Sequence, residues 1–243
     1  MEAAPAHGPQ PPIIEMVDVA VNALHEPRLL AEQVNWTVRA GDYWVIGGLQ
    51  GSGKSDFLFF TGGLMPLVRG TYRLFNEPMP IFEEARLRTR LRLGLVFADG
   101  QLLNHLTVWE NVALPLRYHR NLSPAQAESP TQRFIDATEL GPWTGSFPGG
   151  LGRNWQKRAG LARALILEPE ILLVDDPLAG LDLRQVNWWL IFLDQLAEGH
   201  PLFTDARSPW WLPPPICARG KAAPANSPSC GSNASPSSAP GRR

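Results

Sequence analysis

Gly48-Leu49-Gln50-Gly51-Ser52-Gly53-Lys54-Ser55 fits the pattern G-x-x-x-x-G-K-[ST] without a departure. Glycines in such a loop let backbone N–H groups converge on phosphate oxygens with no Cβ in the way. Lys54 is placed to reach β- and γ-phosphates, and Ser55 to ligate Mg²⁺. The apolar run Tyr43 to Ile46 predicts a short strand before the loop. Asp56 to Leu64 predicts a helix after it, whose positive end points at the anion. Strand, glycine-rich loop and helix in that order are the context a nucleotide-phosphate site requires.

A second stretch belongs with it. Ile171-Leu172-Leu173-Val174 is continuously apolar, as in a strand buried on both faces of a parallel sheet. It ends in Asp175-Asp176. Taken alone, this acidic pair is equally a cap for the following turn. Beside a phosphate loop it reads as the other half of a Mg-nucleotide site, with Asp175 holding Mg²⁺ opposite Ser55 and Asp176 polarising an attacking water.

Outward from these anchors the pattern is α/β. Ile13 to Val21, Val34 to Val38, Gly70 to Phe75 and Leu93 to Phe97 predict strands, and Phe82 to Arg90 a charged helix. Asn104 to Trp143 changes to helical periodicity and reads as a helical insertion, spanning about residues 99–155. Trp155 to Leu167 and Gln185 to Leu196 predict further helices. Residues 1–12 are expected to be disordered.

The totals exclude several classes. A chain of 243 residues suits one large domain, and its net charge of −1 gives no electrostatic case for nucleic acid. No apolar run approaches the roughly 18 residues of a membrane helix. The Ala/Pro-rich start lacks the apolar segment of a signal peptide. Cys217 and Cys230 fall in a biased tail and suggest neither disulfides nor a metal site, so a cytoplasmic protein is expected, reaching a membrane through partners.

The order of phosphate loop, helical insertion, Arg158-Ala159-Gly160-Leu161-Ala162-Arg163-Ala164-Leu165, the strand ending Asp175-Asp176, and Leu178-Ala179-Gly180-Leu181-Asp182 resembles the ATP-binding subunits of ABC transporters. The resemblance covers about residues 13–200. Within that family, Leu93 to Leu116 looks like importer-type and Mla-type lipid-transport ATPases. It implies a P-loop NTPase core: a parallel sheet flanked by helices, an N-terminal antiparallel β subdomain and the helical insertion. It implies ATP and Mg²⁺, a head-to-tail homo- or heterodimer, and a transmembrane permease whose cytoplasmic helix docks between the Ala98 loop and the insertion. Implied nucleotide-binding residues are Gly48, Leu49, Gln50, Gly51, Ser52, Gly53, Lys54, Ser55 and Asp56, with His25 stacking on adenine. His25 is equally readable as an ordinary surface histidine. Asp182 matches the aspartate that crosses the dimer interface.

Four motifs depart from that family. The signature Leu-Ser-Gly-Gly-Gln is replaced by Leu151-Gly152-Arg153-Asn154-Trp155, which loses a hydroxyl at Gly152 and adds bulk at Arg153 and Asn154. The loop after Phe97 presents Ala98 where the family presents Gln, and Asp99 and Gln101 are out of register. Asp176 stands where a longer Glu is usual, and no histidine follows His200. These departures leave open an ATP-binding but catalytically impaired subunit, with a soluble ABC-type ATPase as a further alternative.

From residue 205 to 243 the chain reads as a disordered, low-complexity tail. The stretch Trp210 to Gly220 is not expected to supply the apolar strand the family needs there. Back-translated with mostly G- or C-ending codons and read one nucleotide earlier, the region encodes such a strand, which points to a frameshift near residues 200–205. The three prolines at 213–215 cannot encode His in that frame either.

Overall fold

The computed structural model describes residues 11–24, 28–79 and 86–204, and the backbone of 216–218. The chain opens with β1 (Ile14–Asn22), β2 (Leu29–Val38), β3 (Tyr43–Val45) and α1 (Lys54–Thr61). It continues through β4 (Arg69–Leu74), β5 (Glu77–Pro78), α2 (Leu87–Arg90) and β6 (Leu93–Val96). Two helices follow, α3 (Val108–His119) and α4 (Pro124–Ala137), then α5 (Arg153–Leu165) and β7 (Ile171–Val174). The last elements are α6 (Leu183–Glu198), α7 (Pro201–Thr204) and β8 (Ile216–Ala218).

Two four-stranded sheets result. One is antiparallel, in the order β2-β1-β4-β5, and the other is parallel, in the order β3-β8-β7-β6. The hinge of the packing is β7, whose four residues are all buried. Ile171 and Leu173 face a cluster formed with Leu58 and Phe60 of α1 and the inner residues of the antiparallel sheet. Leu172 and Val174 face the other cluster, with Val112, Phe134, Leu161, Leu165, Trp189 and Leu193 from α3 to α6. Alternate side chains of one strand thus serve two cores. Each buried Leu or Ile contributes about 1.5–3 kcal/mol relative to exposure. This is the α/β architecture expected of a P-loop NTPase, with its antiparallel β layer and with α3 and α4 inserted between β6 and α5.

Local chemistry explains the element starts. Thr107 and Glu110 form a reciprocal capping box for α3, as Ser123 and Gln126 do for α4 and Asp182 and Gln185 for α6. Buried Asn111 pins the approach to α3, with its amide donating to the carbonyls of Leu103, Leu106 and Thr107. Helix α5 starts at Arg153, two residues before the expected Trp155, with Gly152 as its extended N-cap and Asn154 in its first turn. Of the charged helix expected over Phe82–Arg90, α2 covers the last four residues, and 80–85 lie outside the described residues.

The tail requires one correction. Ile216–Ala218 does supply a strand, parallel to both β3 and β7. Without it, these two strands would face each other across unpaired backbone donors and acceptors in the middle of a sheet, a costly arrangement. The rest of 205–243, with Trp210 and the prolines behind the shifted-frame reading, lies outside the described residues, as do residues 1–10.

Candidate functional site

Between β3 and α1 the chain turns through Gly51 at φ 74° and Gly53 at φ 80°, left-handed conformations that glycine adopts cheaply. A Cβ at Gly53 would also collide with Leu30 of β2. The loop crest is open to solvent, with Leu49 85% exposed. Lys54 Nζ is buried beneath it, donating to the carbonyl of Gly48 at 2.7 Å, to Ser52 Oγ at 2.8 Å and to the carbonyl of Leu49. Glycine amides, a buried ammonium and the N-terminus of α1 therefore share one loop, a donor set that suits a polyphosphate.

The second half of the site arrives from far along the chain. Asp175, only 4% exposed, is fixed by its backbone N–H to the Val96 carbonyl at 2.8 Å. Its Oδ1 accepts from Ser55 Oγ at 2.9 Å. A hydroxyl and a buried carboxylate are hard oxygen donors of the kind Mg²⁺ selects. Among the described residues no cluster of three or more His, Cys, Asp or Glu forms. Mg²⁺ held by one carboxylate plus substrate phosphates needs none. Ser55 and Asp175 thus fit the ion. Asp176 follows at φ 44°, a left-handed conformation uncommon for a residue with a side chain.

Several expected site residues have local partners in the structure. Asp56 accepts the Leu24 N–H at 3.4 Å, tying α1 to the segment that follows β1. His25 lies outside the described residues. Asn154 does not project as bulk: it is 4% exposed, and its Oδ1 accepts from the Trp189 indole N–H at 3.2 Å. The signature segment is therefore altered on its surface at Gly152, Arg153 and the partly exposed Trp155. Arg153 is exposed and lies against Gly180, where an added Cβ would come within 3.2 Å of its guanidinium. Asp182 caps α6, accepting the Gln185 N–H at 2.9 Å. Asp99 and Gln101 hold each other, with Gln101 N and Nε2 donating to the Asp99 carboxylate.

Two features escaped the sequence reading. Gly100, at φ 79°, packs directly on Gly160 of α5, and its carbonyl accepts from Arg163 at 2.8 Å. Lys157 is 1% exposed on α5 and points its ammonium at the loop after β7. The available signal for Lys157 was its i, i+4 spacing from Leu161 and Leu165, which puts a charge on the apolar stripe.

The geometry agrees with comparisons to known proteins. The family model described as ABC transporter matches residues 31–179. The probable ribonucleotide transport ATP-binding protein mkl of Mycobacterium tuberculosis is 35% identical over 152 residues, 62% of this chain and 42% of that protein. The intermembrane phospholipid transport system ATP-binding protein MlaF of Escherichia coli is 31% identical over 171 residues, 70% of this chain and 63% of that protein. The chain thus spans about half the length of these relatives. Among solved structures, cbiO1 from Clostridium perfringens, part of the ABC transporter complex cbiONQ, superposes with a TM-score of 0.69 at 21% identity, covering 86% of this chain and 79% of that one, a likeness of fold. A dimeric ATP-binding cassette in a post-hydrolysis state bound to ADP and Pi gives 0.72 at 25% identity, covering 85% of this chain and 87% of that one. A match over more than half the chain, beside a phosphate loop joined to Asp175, places this chain in the ABC transporter family as one of its ATP-binding domains.

Proposed function

We propose that this chain binds Mg·ATP and hydrolyses it as the nucleotide-binding subunit of a membrane transport complex. The observation that carries the reading is the Ser55 Oγ–Asp175 Oδ1 hydrogen bond, which joins the phosphate loop to the end of β7 across 120 residues of sequence. Residues 13–204 form the ATP-binding unit, with the insertion at about 99–155 and the tail beyond 205 as separate regions.

In this reading the loop amides and Lys54 hold the β- and γ-phosphates and orient the reacting phosphoryl group. Ser55 and Asp175 hold Mg²⁺, which when bound neutralises charge on the phosphate oxygens. Asp176 orients the attacking water and accepts its proton, a role worth roughly 10²–10⁴-fold. The start of α5, at Gly152 and Arg153, faces the nucleotide of a second ATP-binding subunit, identical or homologous. Dimer closure on ATP moves a transmembrane permease subunit docked near the Ala98 loop, so the protein works peripherally at the cytoplasmic face of the cell membrane. No helix among the described residues is long and apolar enough to cross a membrane.

Titration of the purified chain with a fluorescent ATP analogue and Mg²⁺ tests the reading. Lys54→Ala removes charge-assisted hydrogen bonds of about 1.5–3 kcal/mol, roughly ten- to hundredfold in affinity. Equal affinity in native protein and Lys54→Ala sinks the proposal.

A further inference from the structure

Lys157 is the buried charge for which the site described above has no use. An ammonium has three donors, and Lys157 Nζ places them on the carbonyls of Asp176 at 2.8 Å, Pro177 at 3.2 Å and Ala179 at 3.0 Å. All three acceptors lie in one short loop between β7 and α6. That loop starts at Asp176, whose left-handed backbone needs surrounding structure to hold it. Further along it is Gly180, against which Arg153 lies.

Burial pushes the Lys157 pKa down, against an opposing pull from the nearby Asp176 and Asp175 carboxylates. A buried cation spent on neutral carbonyls is a costly way to pack a helix. An apolar side chain would fill the stripe with Leu161 and Leu165 more cheaply. What the ammonium supplies is position: three bonds from one side chain fix the direction of the loop relative to α5. The same helix also fixes the loop after β6, through Arg163 and the Gly100–Gly160 contact.

We propose that Lys157 is a positioning residue that fixes the Asp176 loop to α5, so that the orientation of Asp176 follows the helix whose first turn carries Gly152 and Arg153. The inference rests on the ATPase reading for its kinetic consequence and on the loop geometry alone for its structural one. A nucleotide engaged at the start of α5 is thereby linked to the carboxylate of this chain's own site. The two loops that flank the reacting phosphate move with one helix.

The test compares native protein, Lys157→Met and Lys157→Arg. Amide hydrogen exchange is read at residues 178–182, nucleotide affinity by the fluorescent analogue, and kcat and KM by phosphate release. Lys157→Met is expected to speed exchange in that loop about tenfold. Nucleotide affinity and KM should change by less than about twofold, while kcat falls roughly ten- to hundredfold. Lys157→Arg should recover most of both losses. Should Lys157→Met fail to fold, Lys157→Gln, whose shorter side chain has two donors for the three carbonyls, carries the comparison, with smaller losses of the same kind expected. Native exchange and native kcat in the variants overturn the proposal. So does faster exchange spread over the whole chain, which marks a general packing role. If the native protein binds ATP without releasing phosphate, the hydrolysis reading fails, and the exchange arm still decides the role of Lys157.

Discussion

Lys54, Ser55 and Asp175 converge because each is tied to a backbone feature as well as to a function. Asp175 is held by β6 through its own N–H, and Lys54 by the oxygens of its loop. Asp176→Asn keeps the shape and removes the base, so turnover is expected to fall roughly 10²–10⁴-fold with nucleotide affinity retained. Phosphate-release kinetics beside analogue titration check this. Asn154 has a different expected consequence. Asn154→Ala leaves the Trp189 indole N–H buried without its partner and should cost about 1–3 kcal/mol, read as a lowered Tm. The motif residues were legible because their spacing is fixed by the phosphate they serve. The inward turn of Asn154 was not, since its partner lies 35 residues away on another helix. Lys157 was hidden for a further reason: its partners are backbone carbonyls, which leave no trace in residue identity.

Among the elements, strands with one dominant pattern were readable, and β7 matches its expected bounds. Helix starts were less so, because caps decide them. Asp182-x-x-Gln185 is a capping signature that sets the start of α6. The α3 cap makes a pH prediction. Hydrogen bonds from the Thr107 N–H and hydroxyl lower the Glu110 pKa below its ordinary 4.5. Its stabilisation is therefore complete above that value and is lost as pH falls through the lower folded one. The Tm difference between native protein and Glu110→Ala should be present at neutral pH and shrink below about pH 4.5; a difference that persists at low pH contradicts this. β8 was missed because three residues carry too little periodicity to outweigh flanking prolines. Only the need of β3 and β7 for a partner reveals it. The shifted-frame reading of the surrounding tail is checked by the gene sequence, where early stops in that frame would refute it.

At the scale of the molecule, one strand divides two cores and delivers the Asp175 carboxylate at its end to a loop built elsewhere in the chain. Helix α5 then touches both loops that border the site. Such an arrangement suits a domain whose chemistry depends on a partner's approach. Mg·ATP is expected to shift the chain from monomer toward dimer in sedimentation, and Arg153→Glu to weaken that shift by placing a negative charge toward the partner's nucleotide. The most direct measurement is phosphate release from ATP by the purified full chain in Mg²⁺, set beside Lys54→Ala and Asp175→Asn. The account predicts Mg²⁺-dependent release that both substitutions abolish. Tight ATP binding with no release, or release at equal rates in all three proteins, would contradict it.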